Sequence, residues 1–404
     1  MKSTFTIGLI ATACLGWSGT FEAAVLEDVH ADVNLTYDVT DKFSIGPRDD
    51  DEALQYEDDG ALLYGGANAR RTRTGSEIGD FSFLGVGIGQ TYWRMPQTQA
   101  VSLIFLGTSA YGVSVGELDA YDPTVESGGR VTGTGTWARV ELVHVDGPGQ
   151  FSIWQSAAGG PKVFMATSNG IQTSDSYWSL AGGHAHYNWG FSAAGTYDVQ
   201  VRAYGFFQDG LPGLGPVERG SLYTLHFGLE EHPAIIYGDL DLEAWLGDIE
   251  TIPIEATLTL QGGSPVKRTQ LIKRPEGNNL PNTKGRFSFG FSGTGPASLV
   301  LKPKGYLSRK VDINVGTISQ SGTVIKTFYS HAGSDPLSFT FLAGDCNNDD
   351  YITTDDYLIL SESFDTAVGD AGFDARADID GNGAVTTDDY LILSTNFDLS
   401  GEGA

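Results

Sequence analysis

Two nine-residue stretches of this 404-residue chain are identical: TTDDYLILS occurs at Thr353–Ser361 and again at Thr386–Ser394, 33 residues later. The first four residues of each copy end a twelve-residue segment. These segments read DCNNDDYITTDD over Asp345–Asp356 and DIDGNGAVTTDD over Asp378–Asp389. Side-chain oxygens recur at loop positions 1, 3, 5, 9 and 12. They belong to Asp345, Asn347, Asp349, Thr353 and Asp356, then to Asp378, Asp380, Asn382, Thr386 and Asp389. Position 7 offers only a backbone carbonyl, from Tyr351 and Ala384. Ca2+ is a hard ion that takes six to eight oxygens at about 2.3–2.6 Å, so a loop wrapping it presents oxygens on alternate residues and turns sharply at position 6. Gly383 suits that turn; Asp350 stands there in the first loop, and Asp tolerates positive φ better than most residues. Position 8 is apolar in both (Ile352, Val385), as a residue pinning two loops together would be.

A helical segment follows each loop. The spacing expects Tyr357, Leu360 and Phe364 on one face, and Tyr390, Leu393 and Phe397 on one face of the second. No helix precedes the first loop; a strand-like run over Leu337–Leu342 leads into Gly344 and Asp345. On these residues, 344–398 resemble a type I dockerin with two calcium-binding loop–helix units. The resemblance implies two Ca2+ ions and a cohesin-type partner on a scaffold or cell surface. It also implies that positions 10 and 11, here Thr354, Asp355, Thr387 and Asp388, contact that partner. Ion closure and packing account for Asp356, Asp389 and the apolar positions. They do not require identity at positions 10 and 11, which a near-symmetric partner face does.

The rest of the chain reads as mainly β. It has 54 Gly, frequent aromatic and β-branched residues, and no long helical periodicity. In 234–342, Leu240, Leu242 and Leu246, then Ile254, Ala256, Leu258 and Leu260, then Val311, Ile313 and Val315, then Phe339 and Phe341, alternate with polar residues. A β-sandwich spacer is expected there. Lys267, Arg268, Lys273 and Arg274 read as a solvated basic loop.

In 25–230, VHADVNLTYD places His30, Asp32, Asn34 and Thr36 opposite an apolar face. HAHYNWGF does the same for His184, His186 and Asn188. Imidazole and carboxylate at i and i+2 of a strand suit Zn2+ or another transition metal. A solvated polar face is the plain alternative, and nothing in the sequence says that the two strands adjoin. His226 is a further candidate. With VELVHVDGPGQFSIWQS at 140–156, GHAHYNWGFSAAGTYDVQVRA at 183–203 and TLHFGLE at 224–230, the region resembles the choice-of-anchor M domain of actinobacterial surface-anchored proteins. Val29 and Ala31 depart mildly from that pattern. The resemblance implies a surface location and capture of a ligand.

Lys2, the apolar run Phe5–Trp17 and the small residues Ala23 and Ala24 predict a secretory signal over 1–24. Cys14 lacks the preceding Leu of a lipoprotein signal. The net charge of −27 disfavours nucleic acid and anionic membrane surfaces, and no later segment is apolar enough to span a bilayer. Beyond the signal only Cys346 remains, so no intrachain disulfide is available. No GxSxG or HExxH motif occurs, and the Gly85–Gln90 run reads as a turn. The sequence thus leans away from an enzyme. It predicts a secreted bacterial surface protein of two β-sandwich-like domains (25–230, 234–342) and a small all-α calcium module (343–404), with carbohydrate or metal as ligand of the first. The alternative is a dockerin-bearing extracellular hydrolase of polysaccharide or peptide, with a metal on the His184/His186 strand.

Overall fold

The computed structural model describes residues 20–39, 42–56, 60–211, 215–274, 282–315, 324–329 and 339–403. Lys2, Phe5–Trp17 and Cys14 lie outside them, as does the start of the Leu337–Leu342 run. The fold is mainly β, with several sheets and two short helices near the C-terminus. No helix among the described residues is long and apolar enough to cross a membrane.

A ten-stranded sheet runs through most of the chain. Its order is Ser176–Leu180, Trp137–Asp146, Gly195–Leu211, Gly215–Leu229, Ala61–Gly65, Thr20–Leu26, Val324–Tyr329, Ala234–Leu242 and Lys284–Phe291, with Phe339–Phe341 beside Ala234–Leu242. The cleavage position expected near Ala23 and Ala24 falls inside the Thr20–Leu26 strand. Residues before it pair with Val324–Thr327, and Ala24–Leu26 pair in parallel with Ala61–Leu63. A five-stranded sheet orders Gly160–Ala166, Phe151–Ala157, Asn188–Phe191, Thr91–Met95 and Arg70–Thr72. Another orders His184–His186, Phe105–Gly112, His30–Asp38, Lys42–Asp49 and Leu54–Gln55. A four-stranded sheet of Val266–Leu271, Pro253–Leu260, Gly295–Pro303 and Arg309–Val315 completes the middle region.

Two large apolar cores result. The first gathers Val33, Leu35, Phe151, Trp189, Phe191, Phe227 and their neighbours. The second gathers Ile254, Leu258, Phe287, Phe289 and Phe341 together with Ile352, Leu360, Val385 and Leu393, so it continues across 342/343 into the helical segment. The seam between the cores is polar. Arg202 and Glu250, both nearly fully buried, pair at 3.0 Å, and Glu250 also accepts from Leu222 N at 2.8 Å. Gln200 exchanges hydrogen bonds with Leu271 in both directions.

Three local expectations are corrected. Lys267, Arg268, Lys273 and Arg274 are not one solvated loop: Lys267 and Arg268 lie on the Val266–Leu271 strand at the end of the four-stranded sheet, and Arg268 and Lys273 are drawn inward while Lys267 and Arg274 stay exposed. Arg268 reaches Asp146 at 3.3 Å and Lys273 is buried at 1% exposure, while Lys267 and Arg274 pair with Glu255 and Asp248. Leu246 does not continue the Leu240 and Leu242 alternation into the core; it lies past the turn at Glu243 and Ala244, exposed, where its N–H donates to Asp380 O at 2.7 Å. HAHYNWGF is two strands, not one. Tyr187 lies between His184–His186 and Asn188–Phe191, which belong to different sheets, so the chain changes sheet within the motif.

Candidate functional site

The parallel pairing of His30–Asp38 with Phe105–Gly112, and the antiparallel pairing of that strand with His184–His186, align Asp32, Gly107 and His186 in one row. Asn34, Ser109 and His184 form the next row. His30 and His186 meet Nε2 to Nε2 at 3.2 Å, and Asp50 Oδ2 lies 3.7 Å from His30 Nε2. One ligand atom from each of His30, Asp32 and His186 falls within 4.8 Å of the others. His184 is exposed, with its ring centroid 5.4 Å from that of His186 and 6.2 Å from that of His30.

Alternation explains this placement. Ala31, Val33, Leu35 and Tyr37 fill the first core, which turns Asp32 and Asn34 to the opposite face. That face is not solvated at Asp32 or Asn34: they are 0% and 3% exposed. Asn34 is fully engaged, donating to Gln55 Oε1 at 2.8 Å and accepting from Ser109 Oγ and Tyr111 N. Asp32 is not. Neither of its oxygens accepts a hydrogen bond of normal geometry, and Asp50 Oδ2 and His186 Nδ1 are likewise buried without a partner among the described residues. Burial, then the neighbouring Asp50 carboxylate, pushes the Asp32 carboxyl up to about 7. Burial, then the His30 and His184 rings, pushes His186 down to about 4, so it is a neutral imidazole near neutral pH. The face therefore brings two imidazoles, hydrogen-bonded to each other through Nε2, together with buried oxygens of two carboxylates.

Asn188 joins the neighbouring sheet instead, bonded to Gln97 N, Trp154 O and Ser156 Oγ. Thr36 lies beyond the His rows, beside Gly112. His226 is elsewhere too, wholly buried in the seam. Its Nδ1 meets Asp198 Oδ1 at 2.7 Å and its Nε2 meets Ser288 Oγ at 2.9 Å. The order Ser, His, Asp is that of a hydrolytic triad, but all three side chains are within 1% of full burial. No substrate reaches them in this conformation, and the network fastens the two regions together.

The C-terminal loops are near copies. Position 12 is fully buried in each (Asp356, Asp389) and binds loop amides. Asp356 accepts from Asn347 N and Thr353 N at 3.1 and 2.8 Å; Asp389 accepts from Ile379 N, Asp380 N and Thr386 N at 2.7, 3.2 and 2.8 Å. Each also closes a capping box with the N-cap threonine, Thr353 or Thr386. Position 1 receives the position 6 amide: Asp350 N to Asp345 at 2.9 Å, Gly383 N to Asp378 at 3.0 Å. Asp349 and Asn382 at position 5 accept from Tyr351 N and Ala384 N, both at 2.9 Å. Asp378, Asp380 and Asp389 bring ligand atoms within 4.8 Å of one another, and Asp378 Oδ1 is buried without a partner. The side chains of Asn347 and Asp349 bond each other, as do those of Asn382 and Asp380. Burial raises the carboxyls of Asp345, Asp378 and Asp380. The clustered oxygens of the second loop could hold a hard cation.

Asp350 at position 6, φ +75°, has a reason the sequence did not show: its carboxylate accepts from Ser308 N and Oγ at 2.7 and 2.5 Å. Lys302 of the middle region meets the Asp345 carboxylate and Asn348 Oδ1 beside it. Tyr357, Leu360 and Phe364 share a face as expected, lining one cavity with Ser361 and Tyr390, but that face is only partly buried. Leu360 and Leu393 are buried at 1%, but Tyr357, Phe364, Tyr390 and Phe397 are 39–45% exposed. The inward stripe is Asp356, Ile359, Leu360 and Ser363, because the buried loop carboxylate sets the helix rotation. Tyr357 and Tyr390 meet at 6.3 Å on the outside, next to exposed Thr354, Asp355, Thr387 and Asp388.

No protein-family model matches the chain, and no curated protein matches it. Among solved structures, two interface mutants of a type II cohesin–X–dockerin complex from Acetivibrio cellulolyticus align at 16% and 17% identity. Each alignment covers 42% of this chain and 99% of that one, with TM-score 0.30. A leucine-rich repeat protein from Bacteroides thetaiotaomicron aligns at 12% identity over 57% of this chain and 26% of its own, with TM-score 0.19. These scores lie below the range in which a shared fold is drawn.

Proposed function

We propose that this is a secreted, non-catalytic docking protein. Its C-terminal loops bind two Ca2+ ions, and its outer helical face engages a cohesin-type module on a scaffold or cell surface. The N-terminal β region is the part so displayed. One observation carries the reading: both loop–helix units bury the position 12 carboxylate and repeat its amide bonds, while both leave positions 10 and 11 and a tyrosine exposed. An ion-closing role alone explains the buried half of that repeat; a partner reading two like faces explains the exposed half. The non-catalytic reading is favoured by the burial of Ser288, His226 and Asp198, the one Ser–His–Asp arrangement described above.

Calorimetric titration of the chelator-treated full chain with Ca2+ tests the first half. Two ions are expected, falling to one in Asp378→Asn; no heat of binding overturns the reading. Capture of a purified type I cohesin in Ca2+ tests the second. Joint alanine substitution of Thr354, Asp355, Thr387 and Asp388 is expected to weaken it at least tenfold, with the Ca2+ titration unchanged. Unchanged capture removes those residues from the interface.

A further inference from the structure

The His30, Asp32 and His186 cluster is remote in sequence from the C-terminal loops, and docking makes no use of it. We infer that it is a transition-metal site of the zinc class, held by His30, His186 and Asp32, with Asp50 as fourth ligand.

Four features of the geometry carry this. The two imidazole nitrogens stand 3.2 Å apart. Two nitrogens each about 2.0–2.1 Å from one tetrahedral ion are about 3.3 Å apart, so the pair needs almost no movement to share an ion. The carboxylate of Asp32 is 0% exposed with both oxygens unpartnered. A buried carboxylate with no donor is costly unless a cation answers it. The nearby cation, Arg48, is committed to Asp50 Oδ1 at 2.7 Å, which leaves Asp50 Oδ2 unpartnered and 3.7 Å from His30 Nε2. Finally, Gly107 leaves the space between the ligands clear. A Cβ there would lie 2.3 Å from Asp32 Oδ1 and 2.8 Å from His186 Nδ1.

The chemistry selects the ion. Two imidazoles with two carboxylates suit a borderline ion such as Zn2+ better than Ca2+, which prefers oxygen alone. The supporting shell is in place: Phe105 stacks on His186 at 3.7 Å and 11°, Gln155 Nε2 donates to His186 O at 3.2 Å, and Arg48 holds Asp50. His30 is 28% exposed at its side chain and His184 beside it is exposed, so the ion exchanges with solvent from that side. Asp50 carried no signal in the sequence; it arrives because Asp50 N bonds His30 O where the Lys42–Asp49 strand ends.

The test uses the full chain, stripped with chelator and resupplied with Ca2+. Zn2+ is titrated by calorimetry and its content measured after desalting; Co2+ serves as a visible-absorption probe of nitrogen coordination. One Zn2+ equivalent is expected, and Co2+ is expected to give the intense band of a tetrahedral site. His30→Ala and His186→Ala are expected to weaken Zn2+ binding at least about 100-fold, and Asp50→Asn, which keeps the side-chain volume, about tenfold or more. Asp378→Asn, confined to the second C-terminal loop, is expected to leave it unchanged. Absence of a retained equivalent overturns the inference. So does a Zn2+ affinity that His30→Ala and Asp50→Asn leave intact, or tighter binding of Mn2+ than of Zn2+. Near-ultraviolet circular dichroism of each variant separates ligand loss from misfolding. A misfolded His186→Ala leaves the decision with partly exposed His30 and with Asp50.

Discussion

Asp32 and Asp389 are both carboxylates at 0% exposure, and they show how far residue identity settles a role. Asp389 is satisfied: three backbone amides end on it. Asp389→Ala leaves those donors buried and unpaired, at about 1–3 kcal/mol each. A loss of about 3 kcal/mol or more is expected in chemical denaturation at saturating Ca2+. Asp32 is unsatisfied, and its raised carboxyl makes the folded state bind a proton more tightly than the unfolded one. The sign follows from linkage. Its contribution is fully present below the ordinary carboxylate value of 3.8 and is lost as pH rises through about 7. In metal-free protein, Asp32→Asn is therefore expected to be the more stable form at pH 8, by a few kcal/mol at about 1.4 kcal/mol per pKa unit. The gap should close as pH falls from 7 towards 4. Denaturant midpoints across that range check it, and a gap that widens on acidification refutes it. The oxygens of the C-terminal loops were legible residue by residue because their spacing is local. Asp50 was not, because it reaches His30 from the turn that ends the neighbouring Lys42–Asp49 strand.

At the scale of elements, the period of the pattern was informative and its phase was not. Alternation in VHADVNLTYD names both faces of the His30–Asp38 strand correctly. It cannot say that the second face is covered, which depends on the neighbouring strands and their register. The same alternation in HAHYNWGF conceals a change of sheet at Tyr187, since two strands that meet end to end keep the period of one. In the helices, apolar spacing suggested a stripe through Tyr357 and Tyr390, whereas the buried loop carboxylates rotate the inward stripe onto Asp356 and Asp389. The second loop is also fixed from outside. Gly381 has φ +69°, and a Cβ there would lie 2.4 Å from the Trp245 ring. Gly381→Ala combines left-handed strain of about 1–2 kcal/mol with that clash. It is expected to lower the melting temperature and to weaken Ca2+ binding to the second loop alone, read by calorimetry.

At the scale of the whole molecule, two apolar cores meet across a polar seam, and the second core includes the C-terminal helices. Removing residues 344–403 strips Ile352, Leu360, Val385 and Leu393 from that core. The shortened chain is expected to aggregate or to melt well below the intact one, as light scattering on heating would show. Equal solubility and melting would contradict a shared core. The seam is tested at Glu250, which pairs with Arg202 and caps Leu222 N. Glu250→Ala leaves a buried guanidinium uncompensated, and a loss of about 3–5 kcal/mol is expected in denaturant titration.

The mainly β class, the paired loop–helix ending and the loop oxygens were readable from the chain alone, because each rests on contacts between residues a few positions apart. Proximity of His30, Asp32, Asp50 and His186, the reason for Asp350, the burial of Lys273, and the continuity of the second core past residue 342 were decided only by the tertiary structure. Each depends on which strands lie side by side and in what register. That pairing is set by the whole set of apolar faces being buried at once, and no local stretch carries it.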